Sequence, residues 1–294
     1  MATAQYVVVL LILALVSKSI SRPIIRTTPE ELQSARPDPI SDGAPVRAPR
    51  KHRYCESWRF SVETNDAGVW TQIPATCEKY VKKYMNGHRY RYDSDVVAVD
   101  ASAFAEKVNV SGDGMDAWVF DIDETLLSNL PYYATVRYGF GKSTCIFSGN
   151  MDRLYKLPSY LVFERRLEEF NETSWDKWVD LAEAPALPAS LKLYKELQQL
   201  GFTIFLLTGR EESQRNVTVK NLKDVGYSNW KRLILRGESD SGTPAIVYKS
   251  EKRKEVKDEG YTIHGSSGDQ WSDLLGFAIA ERSFKLPNPM YYIA

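Results

Sequence analysis

The stretch Trp118-Val-Phe-Asp-Ile-Asp-Glu-Thr-Leu-Leu-Ser-Asn129 constrains the fold more than any other part of the chain. An apolar run stops at Asp121, a second acid follows at Asp123, and Thr125 opens a polar turn toward Pro131. Short apolar runs bounded by turn signals mark strands buried on both faces, and so a parallel sheet covered by helices. Functional groups in such open sheets stand just beyond the carboxyl ends of the strands. Two carboxylates two residues apart on extended backbone project to the same side, so they can share a cation while one attacks or moves a proton. A strand that merely ends in a charged turn would show the same pair, so the rest of the chain must decide.

Further apolar runs repeat the pattern. Phe202-Thr-Ile-Phe-Leu-Leu-Thr-Gly-Arg210 predicts a second buried strand, opening into a helix from Glu211 to Val225 that Gly226 closes. Leu233 to Arg236 predicts a third strand, Tyr261 to Gly265 leads a fourth into Gly268-Asp269, and Phe277 to Ala280 predicts a fifth. Leu187 to Leu200 has helical spacing and ends at Gly201, while Ser250 is placed to N-cap a charged helix over 251–259. Alternating strands and helices predict an α/β fold, a doubly wound parallel sheet. Before the first strand, Trp58, Phe60 and Val62 alternate like a short strand, whereas 77–85 and 93–109 have helical periods.

Asp121-Ile-Asp-Glu-Thr125 resembles motif one of the haloacid dehalogenase (HAD) superfamily, whose phosphatases form a phospho-aspartate on the first Asp. YCESWRF at 54–60, DIDETLLSN and GDQWSDLLG are similar to the plant acid phosphatases related to vegetative storage proteins, a class B-like group. The likeness covers roughly residues 54–294. It implies Asp121 as nucleophile and Asp123 as general acid and then base. Thr208 and Gly209 resemble motif two, a hydroxyl and a close backbone approach suited to a phosphate oxygen. Lys249, in Val247-Tyr-Lys-Ser250, matches the motif-three lysine, a point charge for the nucleophile and the phosphoryl oxygens. Asp269 and Asp273 resemble motif four. With Asp121 and the Asp123 backbone carbonyl, they give the oxygen set expected to hold Mg2+, with Asp273 as ligand or orienter. Arg210 is left between substrate and a salt bridge to Glu211 or Glu212.

Rival phosphatase chemistries lack their parts. His52, His88 and His264 never occur as Arg-His-Gly and are too few for a di-metal site, and no cysteine is followed six positions later by Arg. Lys+Arg and Asp+Glu balance at 38 each, so nothing points to nucleic acid or an acidic membrane surface.

Tyr6 to Val16 is an apolar run too short to span a bilayer, and residues 1–19 are read as a signal peptide with cleavage near Ser19 or Ser21. Residues 20–53 carry six prolines and little apolar surface, the composition of a disordered linker or propeptide. The phosphatase domain is expected over 54–294, with 132–188 as an aromatic-rich cap inserted after motif one. The expected destination is secretion or the vacuole, which suits a disulfide among Cys55, Cys77 and Cys145, the pairing being open. Asn109, Asn171 and Asn216 are glycosylation sequons, Asn216 the least favoured because it falls on a predicted helix. The expected function is a secreted, Mg2+-dependent acid phosphatase acting on small phosphate monoesters, with no nucleic-acid partner and no membrane contact after leader removal. The oligomeric state stays open, a homodimer included. The alternative is a vegetative storage glycoprotein with weak or vestigial activity.

Overall fold

The apolar runs become strands because their side chains have two cores to fill. These strands are β1 (Asp116–Phe120), β2 (Thr203–Glu211), β3 (Arg232–Arg236), β4 (Thr262–Gly268) and β5 (Arg282–Lys285). All neighbours pair in parallel, in the order β3-β2-β1-β4-β5. Trp118 and Phe120 enter one core with Ile204, Leu206, Leu233 and Leu235, while Ala117 and Val119 enter the other with Phe205, Leu207, Ile234 and Ile263. This is the period of two that a buried strand imposes. The fully buried Trp118 indole stacks on Phe284 at 5.3 Å and donates to Ser267 Oγ at 3.0 Å. Gly265 is required opposite it, because a Cβ there would overlap the ring. Truncating such an indole to alanine costs about 3–5 kcal/mol.

The computed structural model describes residues 50–136 and 171–293, within the unit Ala48–Ala294. The leader, most of the proline-rich segment, Cys145, and the cap aromatics Tyr138, Phe140, Tyr155 and Tyr160 lie outside the described residues. The helices are α1 (Arg50–Glu63), α2 (Glu78–Met85), α3 (His88–Ala105), α4 (Leu130–Val136), α5 (Glu172–Leu181), α6 (Pro188–Gln199), α7 (Arg215–Asp224), α8 (Ala245–Asp258) and the single turn α9 (Trp271–Leu274). None among the described residues is long and apolar enough to cross a membrane.

Several sequence expectations need correction. Residues 54–62 are helical: Cys55 and Val62 are buried on one face while Phe60 is 64% exposed, so the apparent alternation of Trp58, Phe60 and Val62 was accidental. The helix also starts at Arg50, inside the segment expected to be linker to residue 53. Cys55 is bonded to Cys77, joining α1 to the residue before α2. Closing a loop of this size stabilises by roughly 3 kcal/mol in the chain-entropy model. The helix expected over 93–109 runs from His88 to Ala105.

Phe277 to Ala280 is not a strand; Phe277 and Ile279 are about half exposed, and Ala278 has φ +50°, which no ladder accommodates. The fifth strand follows it at Arg282. Ser250 does not cap a helix: α8 begins after Pro244, and the Ser250 hydroxyl bonds back to the Ile246 carbonyl at 2.6 Å. A proline just ahead of the first turn was the start signal that was missed. Strand β2 runs on to Glu211, and α7 starts only at Arg215 after a short 3-10 turn.

Where the chain leaves the core after β1, it meets its own return path. Ser128 N donates to Pro185 O at 2.8 Å and Leu187 N to Leu126 O at 2.9 Å. The intervening residues are therefore an excursion with adjacent ends, its described parts being α4 and α5.

Candidate active site

From β1 the chain moves outward to β2 and β3, then returns to the other side of β1 for β4 and β5. That reversal opens a crevice at the carboxyl ends of β1 and β4, the place such sheets use for ligands. Asp121 stands immediately past β1, its N–H bonded to Ser267 O at 3.0 Å. Asp269 stands immediately past β4, and Thr208 to Arg210 occupy the far end of β2. Asp273 lies on α9, and Lys249 is the fifth residue of α8, not a residue at the helix start.

These groups converge. Lys249 Nζ lies 2.5 Å from Asp121 Oδ1 and also bonds Asp273 Oδ1. Asp121, Asp269 and Asp273, all buried, each offer an oxygen within 4.8 Å of the others. Asp273 is fixed by the Gln270 N–H on its Oδ2 at 2.9 Å, and a Cβ at Gly268 would overlap its side chain. Asp269 Oδ2 accepts from Gln270 Nε2 and Asn288 Nδ2 at 2.7 Å each, and its Oδ1 accepts from Thr125 at 3.3 Å.

The Asp123 carboxylate has different company, outside that triad. Arg210 Nη2 bonds its Oδ1 at 2.7 Å, Arg210 Nε reaches both oxygens, and Thr208 Oγ1 lies 3.5 Å from Oδ2. Arg210 is thus committed to Asp123, and neither Glu211 nor Glu212 holds it; Glu212 pairs with Arg215. Space opens in front of Gly209, where a Cβ would meet no atom within 4 Å.

Five carboxylates, Asp121, Asp123, Glu124, Asp269 and Asp273, surround two direct cationic partners, Lys249 and Arg210. Burial, then the Asp273 charge, push Asp121 well above its ordinary range against the pull of Lys249. Burial and Asp273 likewise push Asp269 up to about 7, and burial with Asp123 raises Glu124 to about 8. Asp123 runs the other way: burial would raise it, but Arg210 outweighs that and holds it below the usual carboxylate range. Burial disfavours the Lys249 cation, yet Asp121 and Asp273 overcome it and raise its pKa. An oxygen-only triad with surplus negative charge fits a hard divalent cation.

Several members escaped the sequence reading. Glu124 is fully buried with φ +55°, and its oxygens take Asn129 N at 2.6 Å and the Tyr291 hydroxyl. Asn288 and Tyr291 come from a C-terminal tail in which no motif had been noticed. Arg253, which falls in the helix expected to be charged over 251–259, is 1% exposed. It donates to the carbonyls of Asp273 and Leu275 at 2.6 Å each, and to those of Phe277 and Ala278, bracing the loop that carries Asp273. The available signal was its spacing: Arg253 is one helical turn from Lys249 on the same face.

The family model described as HAD superfamily, subfamily IIIB (acid phosphatase), matches residues 41–145 and 155–294. Acid phosphatase 1 of Solanum lycopersicum is 48% identical over 87% of this chain and 90% of its own length. The stem 28 kDa glycoprotein of Glycine max is 41% identical over 81% of this chain and 84% of its own. Vegetative storage protein 1 of Arabidopsis thaliana is 36% identical over 81% of this chain and 78% of its own. Among solved structures, the class C acid phosphatase of Bacillus anthracis shares the fold, with a TM-score of 0.54 at 23% identity over 73% of this chain and 85% of that one.

Proposed function

The chain belongs to the HAD superfamily, subfamily IIIB, whose members are acid phosphatases, and from that membership we propose that it hydrolyses small phosphate monoesters through a phospho-aspartate on Asp121. The observation that carries this reading is the Lys249 ammonium bridging Asp121 and Asp273 inside a buried acidic triad.

In the proposed first step, an Asp121 oxygen attacks phosphorus and the ester oxygen departs as an alcohol. Lys249 keeps the attacking carboxylate from repelling the phosphoryl oxygens, and the Thr208 hydroxyl donates to one of them. Asp123 supplies the proton to the leaving oxygen and afterwards draws one from the water that opens the acyl phosphate. At rest Arg210 holds Asp123 as a carboxylate, the form the second step needs. Incoming phosphoryl oxygens compete for that guanidinium, which loosens its hold and lets Asp123 carry a proton in the first step. Asp121, Asp269 and Asp273, with the Asp123 backbone carbonyl, would hold Mg2+, which when bound would offset the charge of the acids and of the phosphoryl group.

Secretion is part of the proposal. It is supported by the apolar run of residues 6–16 and by the Cys55–Cys77 bridge, which belongs to an oxidising compartment. Asn171 and Asn109 are exposed and open to glycan; Asn171 caps α5 through Oδ1. A storage role is supported by the storage and stem glycoprotein relatives, but the complete set of acids and Lys249 favours turnover. The deciding experiment is hydrolysis of p-nitrophenyl phosphate by the purified protein across pH, before and after exhaustive chelation and Mg2+ return. Turnover at acid pH that vanishes with chelation is expected. Full activity without metal would remove the Mg2+ assignment, and no turnover under any condition would leave the storage reading.

A further inference from the structure

Asn129 is completely buried, and its side chain uses every hydrogen-bonding atom it has. Its Nδ2 donates to Asp123 Oδ1 at 2.8 Å and to Glu124 Oε2 at 3.3 Å. Its Oδ1 accepts the indole N–H of Trp178, on α5, at 2.8 Å. Its backbone N–H donates to Glu124 Oε1 at 2.6 Å, so Glu124 grips the residue at two points. Tyr291 bonds Glu124 in turn, and these contacts hold Glu124 in the left-handed region, which a non-glycine residue rarely adopts. Only an amide suits position 129: it must donate toward two acids and accept from an indole, which neither a carboxylate nor a hydroxyl can do at once.

Arg210 reaches both Asp123 oxygens from β2 and so holds the carboxylate from that side. Asn129 adds a contact from the chain after β1. We propose that Asn129 is a positioning residue that sets the rotation of the Asp123 carboxylate toward the leaving-group oxygen. Through Trp178 it also ties that rotation to the seating of α5. This rests on the reading of Asp123 as proton donor. Proton delivery is sensitive to small misplacements of the donor, whereas attack by Asp121 does not involve this amide.

The test compares Asn129→Ala and Trp178→Phe, each alone and combined with Asp123→Asn, on p-nitrophenyl phosphate and on an alkyl phosphate. A nitrophenolate leaves without a proton and an alkoxide does not. Asn129→Ala is expected to lower kcat for the alkyl ester by about 10²-fold with KM little changed, and to affect the nitrophenyl ester far less. Trp178→Phe removes the N–H while keeping an aromatic ring, though a smaller one, so it should show the same pattern on a smaller scale. Neither change should add a loss once Asp123 is Asn. Equal losses on both esters, or losses that add to that of Asp123→Asn, would overturn the proposal. If Asp123→Asn itself treats both esters alike, the proton-donor reading falls and this inference falls with it. If Asp123→Asn discriminates and the other two variants do not, only the role of Asn129 is lost. Should Asn129→Ala melt below the assay temperature, Trp178→Phe decides.

Discussion

At the amino end of β1, Asp116 accepts the Ser111 N–H and hydroxyl on one oxygen and His264 Nε2 on the other, all at 2.7 Å. Five residues on, at the carboxyl end, Asp121 meets one ammonium among four other acids. Both aspartates are nearly buried, yet their chemistry diverges. Hydrogen bonds from Ser111 lead the causes that hold Asp116 below the ordinary carboxylate range, with His264 adding to them. Burial and neighbouring charge push Asp121 above it. The same strand therefore carries an acid matched to its partners at one end and an acid short of them at the other. Unmatched charge destabilises a fold unless a ligand completes it, so the shortfall at the top marks the functional end. The matched cluster below anchors the sheet that aims it.

The largest effect that can break this contrast comes from Asp121→Asn. Turnover should drop by about 10⁴-fold or more, since the attacking carboxylate is gone, and beryllium fluoride should form no adduct mimicking the phospho-aspartate. Its melting temperature in chelator should hold or rise, because one of the crowded charges is removed. A clear loss of stability would show that the carboxyl-end acids support the fold, and the contrast would fail.

Asp116→Asn probes the other end. It replaces a charged acceptor of three hydrogen bonds, so stability should fall by about 2 kcal/mol, read from denaturant midpoints, while kcat below the melting range stays unchanged. A variant that melts normally but loses kcat would place the amino-end cluster in the mechanism.

The contrast also explains which parts could be read in advance. The first four strands were legible because two-sided burial writes itself as apolar runs, as in Val119-Phe120 and Leu206-Leu207, whereas β5, with Phe284 its one buried residue, leaves no such run. Asp121, Thr208 and Asp269 each stand at or just past the end of such a run, whereas Lys249 and Asp273 lie on helices and were singled out only by their resemblance to the HAD motifs. Arg210 was left between substrate and Glu211 or Glu212, its nearest acids in sequence, because its actual partner, Asp123, is reached only across the sheet. Asn129, Asn288 and Tyr291 act through tertiary contacts that leave no periodic trace. The first helix was misread because Trp58, Phe60 and Val62 mimic alternation over too short a window, and the missing information was the Cys55–Cys77 bond.

The smallest expected effect separates the two ends by pH. His264 Nδ1 lies 2.8 Å from Glu281 Oε2 and Nε2 lies 2.7 Å from Asp116 Oδ1, so both ring nitrogens face acceptors and both donate only in the imidazolium. Phe202 is the other ring packed on it, at 5.9 Å. Burial lowers the imidazole pKa, but the bonds to Glu281 and Asp116 outweigh that and raise it above the ordinary 6.5. A raised folded pKa means the contribution is complete below roughly pH 6.5 and is lost as pH climbs through the folded value. The depressed Asp116 sets the other limit: its contribution is present above about pH 4 and is lost as pH falls through its own folded value. The raised acids at the carboxyl end also make stability decline with rising pH, so wild-type melting alone does not isolate the histidine. The difference between wild type and His264→Gln does, since the upper acids are common to both. That difference should be roughly 1 kcal/mol or less near pH 5, because Glu281 is 54% exposed, and should shrink above neutrality. A gap that stays constant or widens from pH 5 to about pH 9, well past the ordinary imidazole value, would mean that His264 stabilises the sheet through its ring packing, with the charge at the amino end idle.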